Sequence, residues 1–322
     1  MAAEFDLIQR IRARAGGRAD VALGIGDDAA VMRPEPGREL VVTTDVLNVG
    51  VHFGADDAPA DIGWKALAVN LSDLAAMGAR PAWCTLSLAL PEPDLRWCDA
   101  MLDGFFELAD MHGVALVGGD TTRGPLSLGV TAIGQAAPDR LLRRDAARVG
   151  DEVWVSGTLG DAAAALALRQ AGAVADAFLR ARLHRPTPRI ALGAALGGLA
   201  HACIDLSDGL LSDLGHVCAA SGVGAEVSLD ALPASPALRA AGDDAARWSW
   251  QVSGGDDYEL CFTAAPEAGN DIAAAARSAG VEATRIGRIV AMEPDSSPVH
   301  LLDAAGVEWQ PPRRGYEHFA PE

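Results

Sequence analysis

Six short aspartate-bearing segments recur along the whole chain where strands or helices are expected to meet glycine-rich turns. They are GIGDDAAV (24–31), TTDVLNVGVHF (43–53), NLSDLAAMG (70–78), GGDTTRGP (118–125), IDLSDGLLSDLGH (204–216) and SGGDDYEL (253–260). One such aspartate carries little weight, because a carboxylate at a strand end is more often a turn former or a helix cap. Six together restrict the fold. Two carboxylates 4 Å apart repel by roughly 4 kcal/mol at an effective dielectric near 20, so a fold that gathers them must protonate them or supply cations. Magnesium suits such a set, since it favours hard oxygen donors and needs few protein ligands per ion. Glycines beside the acids (Gly24, Gly26, Gly118, Gly119, Gly254 and Gly255) let backbone amides approach phosphate oxygens, or serve plain turn geometry.

The remaining charge narrows the choices. Lys65 is the only lysine, and no Gly-x-x-x-x-Gly-Lys-Ser/Thr string occurs, which excludes a Walker-type nucleotide site. A bound polyphosphate would need metal ions and arginines for its positive partners. The net charge of −18 disfavours a nucleic-acid partner, which calls for a basic surface. Five scattered cysteines (Cys84, Cys98, Cys203, Cys218, Cys261) without a Cys-x-x-Cys read as reduced core thiols.

With 322 residues, half of them hydrophobic and 22 % charged, the chain exceeds the roughly 100–200 residues usual for one domain and has the profile of a soluble globular enzyme. No apolar run approaches the ~20 residues that cross a bilayer, and no signal peptide is visible at the N-terminus, so a cytoplasmic protein is expected. Hydrophobic periodicity predicts helices over 5–14, 60–77, 94–112, 159–171, 187–200, 208–221 and 266–279. Strands are predicted near Val31, over 40–45, 83–90, 114–117, 126–134, 153–156, 202–205, 224–228, 258–263 and 282–289. This is a mixed α+β pattern. The polar stretch RDAARVGDEV puts a domain boundary between 147 and 148. In the helix over 60–77, Leu67, Leu71 and Leu74 share a face with Asn70 and Asp73 one turn apart on its flank. An unpaired carboxylate there would be costly to bury, which favours Asp73 as a metal ligand. Ser207 or Asp208 has a second reading, as cap of the helix beginning near Gly209.

In this order and spacing the segments GIGDDAAV, TTDVLNVGVHF, KALAVNLSDLAAMGARP, GGDTTRGPLS, IDLSDGLLSDLGH and GGDDYELCF, with GYEHFAP near the C-terminus, resemble the bacterial thiamine-monophosphate kinase family over nearly the whole chain. The resemblance implies the two-domain architecture of the aminoimidazole-ribonucleotide synthetase superfamily. Residues 1–147 would form an N-terminal ATP- and magnesium-binding domain that pairs in a homodimer, and 148–322 a C-terminal domain completing the site. By the same resemblance Asp28, Thr43, Thr44, Asp45, Asp73, Asp120, Asp205 and Asp208 hold several magnesium ions. Gly119, Asp120, Arg144 and Ser207 border ATP, while His52, Asp256 and Tyr316 contact thiamine monophosphate. Asp256 stands where the family pattern usually has glutamate. Taken singly, His52 and Tyr316 read equally as packing residues and Arg144 as a solvated charge.

The activity so implied is phosphoryl transfer from ATP to thiamine monophosphate, giving thiamine diphosphate. A phosphate monoester with its second pKa near 6 is already a nucleophile at neutral pH, so no catalytic base is expected and direct in-line transfer is. Rival readings are another ATP-using enzyme of the superfamily and a non-catalytic nucleotide or thiamine-phosphate binding module. Selenophosphate synthetase would need a reactive cysteine early in the chain, and none precedes Cys84; the hydrogenase-maturation dehydratase ends in cysteine, whereas this chain ends HFAPE. A binding module would have lost part of the aspartate set, and all six segments are intact.

Overall fold

The structure, a computed structural model, describes residues 4–293, 296–313 and 315–316. It divides into two compact units, Met1–Leu74 with Ala79–Pro138, and Ala75–Gly78 with Asp139–Glu322.

In the first unit, α1 (Glu4–Arg14) precedes a small hairpin of β1 (Val21–Leu23) and β2 (Val31–Met32). Then come β3 (Glu39–Asn48), α2 (Pro59–Ala76), β4 (Arg80–Leu90), α3 (Leu95–His112), β5 (Ala115–Arg123) and β6 (Ser127–Ala136). The sheet order is β3-β6-β4-β5, antiparallel except for the β4–β5 pair. Side chains of a strand alternate between faces. Along β3, half-buried Val41, Thr43 and Asp45 and buried Leu47 therefore alternate with exposed Val42, Thr44 and Val46.

α2 is apolar nearly all round, with Leu67, Leu71 and Leu74 fully buried, the pattern of a helix enclosed by its unit. α3 begins where the Asp94 carboxylate accepts the Arg96 and Trp97 amides, and ends at Gly113 in the left-handed region (φ 63°), standard N- and C-terminal caps. Where α2 and α3 approach, both backbones demand glycine: a Cβ on Gly63 would collide with the Met101 carbonyl, and one on Gly104 with the Ala60 carbonyl. α1 is tied to α3 by Arg14, which pairs with Asp103 at 2.7 Å and lies 5.4 Å from the Phe106 ring centroid.

One strand differs from expectation in a way that matters for the site. β5 does not stop at Val117 but runs on through Gly118, Gly119 and Asp120 to Arg123. Glycines weaken a strand in isolation, but the parallel register with β4, Leu86 opposite Gly119 and Ser87 opposite Asp120, carries the backbone through them.

The second unit contains β7 (Glu152–Ser156), α4 (Asp161–Gln170), α5 (Ala177–His184), α6 (Ile190–Leu196), β8 (Ala202–Asp205), α7 (Leu210–Ser221) and β9 (Val223–Ser228). α8 (Pro236–Ala241), α9 (Asp244–Ser253), β10 (Leu260–Ala264), α10 (Gly269–Ser278), β11 (Ala283–Ala291) and β12 (Val299–Leu302) complete it. Its six strands run β12-β9-β11-β7-β10-β8, with only β12–β9 parallel. Period-two alternation splits the core into two layers. Val153, Val155, Ile204 and Cys261 join Leu210, Leu214 and Val217 of α7, while Trp154, Cys203, Leu260 and Phe262 join α6, α10 and Ala75 and Ala76 at the end of α2. α5, α8 and α9 are short helices beyond those predicted, started by caps at Asp176, Ser235 and Asp243. α6 is shorter than expected, ending at Gly197. All five cysteines are buried free thiols, and among the described residues no helix is long and apolar enough to cross a membrane.

A fully buried carboxylate anchors this unit. Glu259 accepts from the Ser156 hydroxyl, from Arg182 at 2.9 Å and from Arg189, whose Nε lies at 2.6 Å. Next to it Asp257, also buried, receives the Gly160 amide at 2.9 and 3.0 Å. Burial pushes the Asp257 carboxyl well above the usual carboxylate range.

Two stability predictions follow from this packing. Alanine would favour an isolated helix over glycine by ~1 kcal/mol, but at Gly104 the neighbour is rigid backbone. Gly104→Ala is therefore expected to destabilise the first unit by about 1–3 kcal/mol, as overpacking does, measured by denaturant unfolding; a stabilised variant would refute the close crossing. Glu259→Gln leaves two guanidinium groups without their buried counter-charge and should cost the second unit about 3–5 kcal/mol, with unchanged stability refuting the network.

Candidate active site

In the first unit the sheet and α2 bring three of the expected ligands together. Thr43 and Asp45 share the β3 face that Asn70 and Asp73 of α2 approach. The Thr43 hydroxyl donates to the Asp73 carboxylate, and the Asp45 backbone N–H donates to Asn70 Oδ1 at 3.0 Å. Thr44 is on the opposite, exposed face, where its hydroxyl donates to the Val130 carbonyl at 3.1 Å and accepts from Thr131 at 3.0 Å. Its side chain is therefore separated from Thr43 and Asp45 by the thickness of the sheet.

Asp120 is not with them either. Asp45, Val130, Leu86 and Gly119 form one row across the sheet, which puts β5 three strand spacings, about 14 Å, from β3. Asp120 falls in the next row, opposite Ser87, Gly129 and exposed Val46. Before it, Gly119 has φ 151°, and a Cβ there would collide with the Leu86 carbonyl; glycine is what lets the backbone run this close. Asp28 is exposed in the 24–31 turn, its amide donating to the Asp27 carboxylate.

His52 sits in the turn after β3. Its Nδ1 accepts the Asn48 amide at 3.0 Å, which places the proton of the neutral ring on Nε2. The Lys65 ammonium, buried in α2, donates to the His52 carbonyl at 3.2 Å. The single lysine thus supports this turn.

The second unit gathers Asp205, Ser207, Asp208, Asp256 and Tyr316. Asp205 ends β8. The Asp256 amide donates to the Ser207 carbonyl at 2.9 Å, the Tyr258 amide to the Leu206 carbonyl at 2.8 Å, and the Tyr316 amide to the Asp208 carbonyl at 3.1 Å. Asp256 and Tyr258 both have positive φ, 69° and 48°, conformations that an L-residue with a large side chain seldom adopts. Between and after them Asp257 and Glu259 are anchored below in the core, and the Tyr258 hydroxyl donates to the Asp256 carboxylate at 3.2 Å. The Arg144 carbonyl accepts from the Ser221 hydroxyl at the last residue of α7, about 17 Å along the helix from Leu210 at its start. The part of GYEHFAP after Tyr316 lies outside the described residues.

Neither Ser207 nor Asp208 caps α7. The cap position is Gly209, and the amides of Asp208 and Gly209 are satisfied from inside the helix by Asp213, at 3.1 Å each. Burial, and then the Asp208 carboxylate, push the Asp213 carboxyl up to about 7. Asn70, Asp213, Asp257 and Glu259 are the supporting residues that sequence reasoning did not single out as part of the site, although each lies within one of the six segments.

Among the described residues no three acidic, histidine or cysteine side chains gather into an all-protein metal cage. The donors present still fit magnesium. They are carboxylate and hydroxyl oxygens, with Thr43, Asp45 and Asp73 grouped in one unit and Asp205 and Asp208 in the other. Magnesium takes one or two carboxylates and fills its remaining positions with water and substrate phosphate.

Residues 26–136 match the AIR synthase related protein, N-terminal domain, and 148–297 the AIR synthase related protein, C-terminal domain. The thiamine-monophosphate kinase of Salmonella typhimurium is 46 % identical over 98 % of both chains. The crystal structure of thiamine-monophosphate kinase from Stenotrophomonas maltophilia superposes with a TM-score of 0.86 at 56 % identity, over 93 % of this chain and 96 % of that one. AaThiL complexed with AMPPCP and TMP superposes with a TM-score of 0.77 at 31 % identity over 99 % of both. By fold and by sequence over nearly its whole length, the chain belongs to the thiamine-monophosphate kinase family.

Proposed function

We propose that this chain transfers the γ-phosphoryl group of ATP to the phosphate of thiamine monophosphate, giving thiamine diphosphate and ADP. The observation that carries the reading is the match, over 99 % of both chains, with a relative complexed with AMPPCP, an ATP analogue, and TMP. The chain's own acidic groups support it.

In this reading Asp28, Thr43, Thr44, Asp45, Asp73, Asp120, Asp205 and Asp208 would hold magnesium. Bound magnesium would neutralise phosphate charge and align the two anions. The acceptor phosphate is largely dianionic at neutral pH and attacks the γ-phosphorus directly. One P–O bond forms to the acceptor oxygen as the bond to the β-phosphate oxygen breaks, without a phosphoenzyme. Gly119 lets the β5 backbone approach the nucleotide phosphates beside Asp120, with Ser207 and Arg144 completing the ATP contacts. His52 would donate Nε2–H to the acceptor phosphate, while Asp256, held out by its left-handed backbone, and Tyr316 contact the rest of thiamine monophosphate. The five buried free thiols suit a reducing, cytoplasmic compartment.

Incubation with ATP, magnesium and thiamine monophosphate should yield thiamine diphosphate, and EDTA should abolish turnover until magnesium is restored. Asp73→Asn should lower kcat on the order of 100-fold, as loss of one preorganised electrostatic contact does. ATP chiral at its γ-phosphorus should give product inverted there, as one in-line displacement requires. Turnover in metal-free buffer, or retention of configuration, would overturn the mechanism.

The first unit also offers a face for a second copy of the chain. β3 is a ten-residue strand at the end of its sheet, and Leu40, Val42 and Val46, all on the face opposite Thr43 and Asp45, are 50–60 % exposed, an apolar face of the kind that marks a protein interface. A homodimer built there should sediment at twice the chain mass. Val42→Asp should shift it toward monomer, and a wild-type monomer at micromolar concentration would exclude the pairing.

A further inference from the structure

We infer that Asn70 is a positioning residue for metal binding, holding the edge strand β3 against α2 so that Thr43 and Asp45 face Asp73. The inference rests on reading these three residues as a metal site. Asn70 has no solvent exposure, and both ends of its amide are engaged. Nδ2 donates to the Ala66 carbonyl one turn back in the same helix, at 3.0 Å, which leaves Oδ1 turned to β3, where it accepts the Asp45 backbone N–H at 3.0 Å.

The position of that bond gives it its effect. β3 is paired in the sheet on one side only, with β6, so nothing in the sheet itself fixes its distance from α2. Two rungs do so: Asn70 to the Asp45 backbone and Thr43 to the Asp73 carboxylate. The second rung involves a proposed ligand and must loosen or rearrange if Asp73 turns to a cation. The first involves the Asp45 main chain alone, and survives whatever the Asp45 carboxylate does. An aliphatic residue at 70 would remove the acceptor, whereas glutamine keeps both the amide acceptor and the amide donor. Groups that orient metal ligands are worth roughly 10–100-fold in metal affinity.

The experiment measures Mn2+ binding to the full chain without nucleotide, from the electron paramagnetic resonance signal of free Mn2+. Wild type is expected to bind. Asn70→Ala should weaken binding at least about 10-fold, and Asn70→Gln, which keeps a neutral amide donor and acceptor, should stay closer to wild type than Asn70→Ala. Equal affinity in wild type and Asn70→Ala overturns the inference while leaving the metal site standing; equal loss in both variants also overturns it, because the acceptor oxygen would then be irrelevant. Absence of binding by wild type overturns the metal reading and this inference with it. Should the alanine variant fail to fold, hydrogen exchange in the wild-type protein decides. The Asp45 amide is expected to be protected despite its edge strand, and exchange at the rate of an open edge refutes the role of Asn70.

Discussion

Negative charge that must be held in place is the constraint on which both units turn. Carboxylates brought close together repel, and a chain with one lysine cannot neutralise them with ammonium groups. The structure answers with hydrogen-bond donors aimed at individual acids. Asp73 takes the Thr43 hydroxyl, Asp213 takes two main-chain amides at the start of α7, and Asp257 takes the Gly160 amide. Glu259 takes two arginines and a serine. Such partners fix where each carboxyl group points, even where burial raises it above the usual carboxylate range, as at Asp213 and Asp257.

The two units apply this in different ways. In the first, acids stand on regular elements, and their direction follows from strand alternation and helix spacing; a side chain there is as rigid as the sheet that bears it. In the second, Asp205, Ser207 and Asp208 lie at and just beyond the end of a strand, and Asp256 rides on a backbone bent into the left-handed region. A bend of that kind persists only where its surroundings over-determine it. Asp257 and Glu259 are clamped in the core, while the half-buried Asp256 before them accepts the Tyr258 hydroxyl. The ionic base under this loop serves position more than stability, since buried ion pairs often return little net free energy.

Much of the fold was legible in the sequence because its elements are long and strongly periodic. α2 and α3 lie within a residue of their predicted bounds, and the caps at Asp94 and Gly113 are local chemistry. α5 and α8, with eight and six residues, are too short for an apolar period to show. β5 was read too short because glycine pairs look like a turn until a neighbouring strand is known to run beside them. Ser207 and Asp208 read as caps because the local string allows it, and only the fold shows Asp213 reaching back to do that work.

The chemistry of the site was written in residue types: oxygen donors, one lysine, glycines where backbone must come close, and six segments whose order matches a kinase family. These are properties of the chain and do not depend on where it folds. Which acids meet is another matter. Thr43 and Thr44 are neighbours in sequence yet occupy opposite faces of β3, and Asp45 and Asp120 share a sheet yet stand three strands apart. Sequence distance says nothing about such separations, because strand order, register and the helix laid against the edge strand are set by contacts between residues far apart in the chain. The sequence by itself determined which groups are available to hold a charged substrate; only the tertiary structure decided which of them face one another, because that is fixed by long-range pairing and packing.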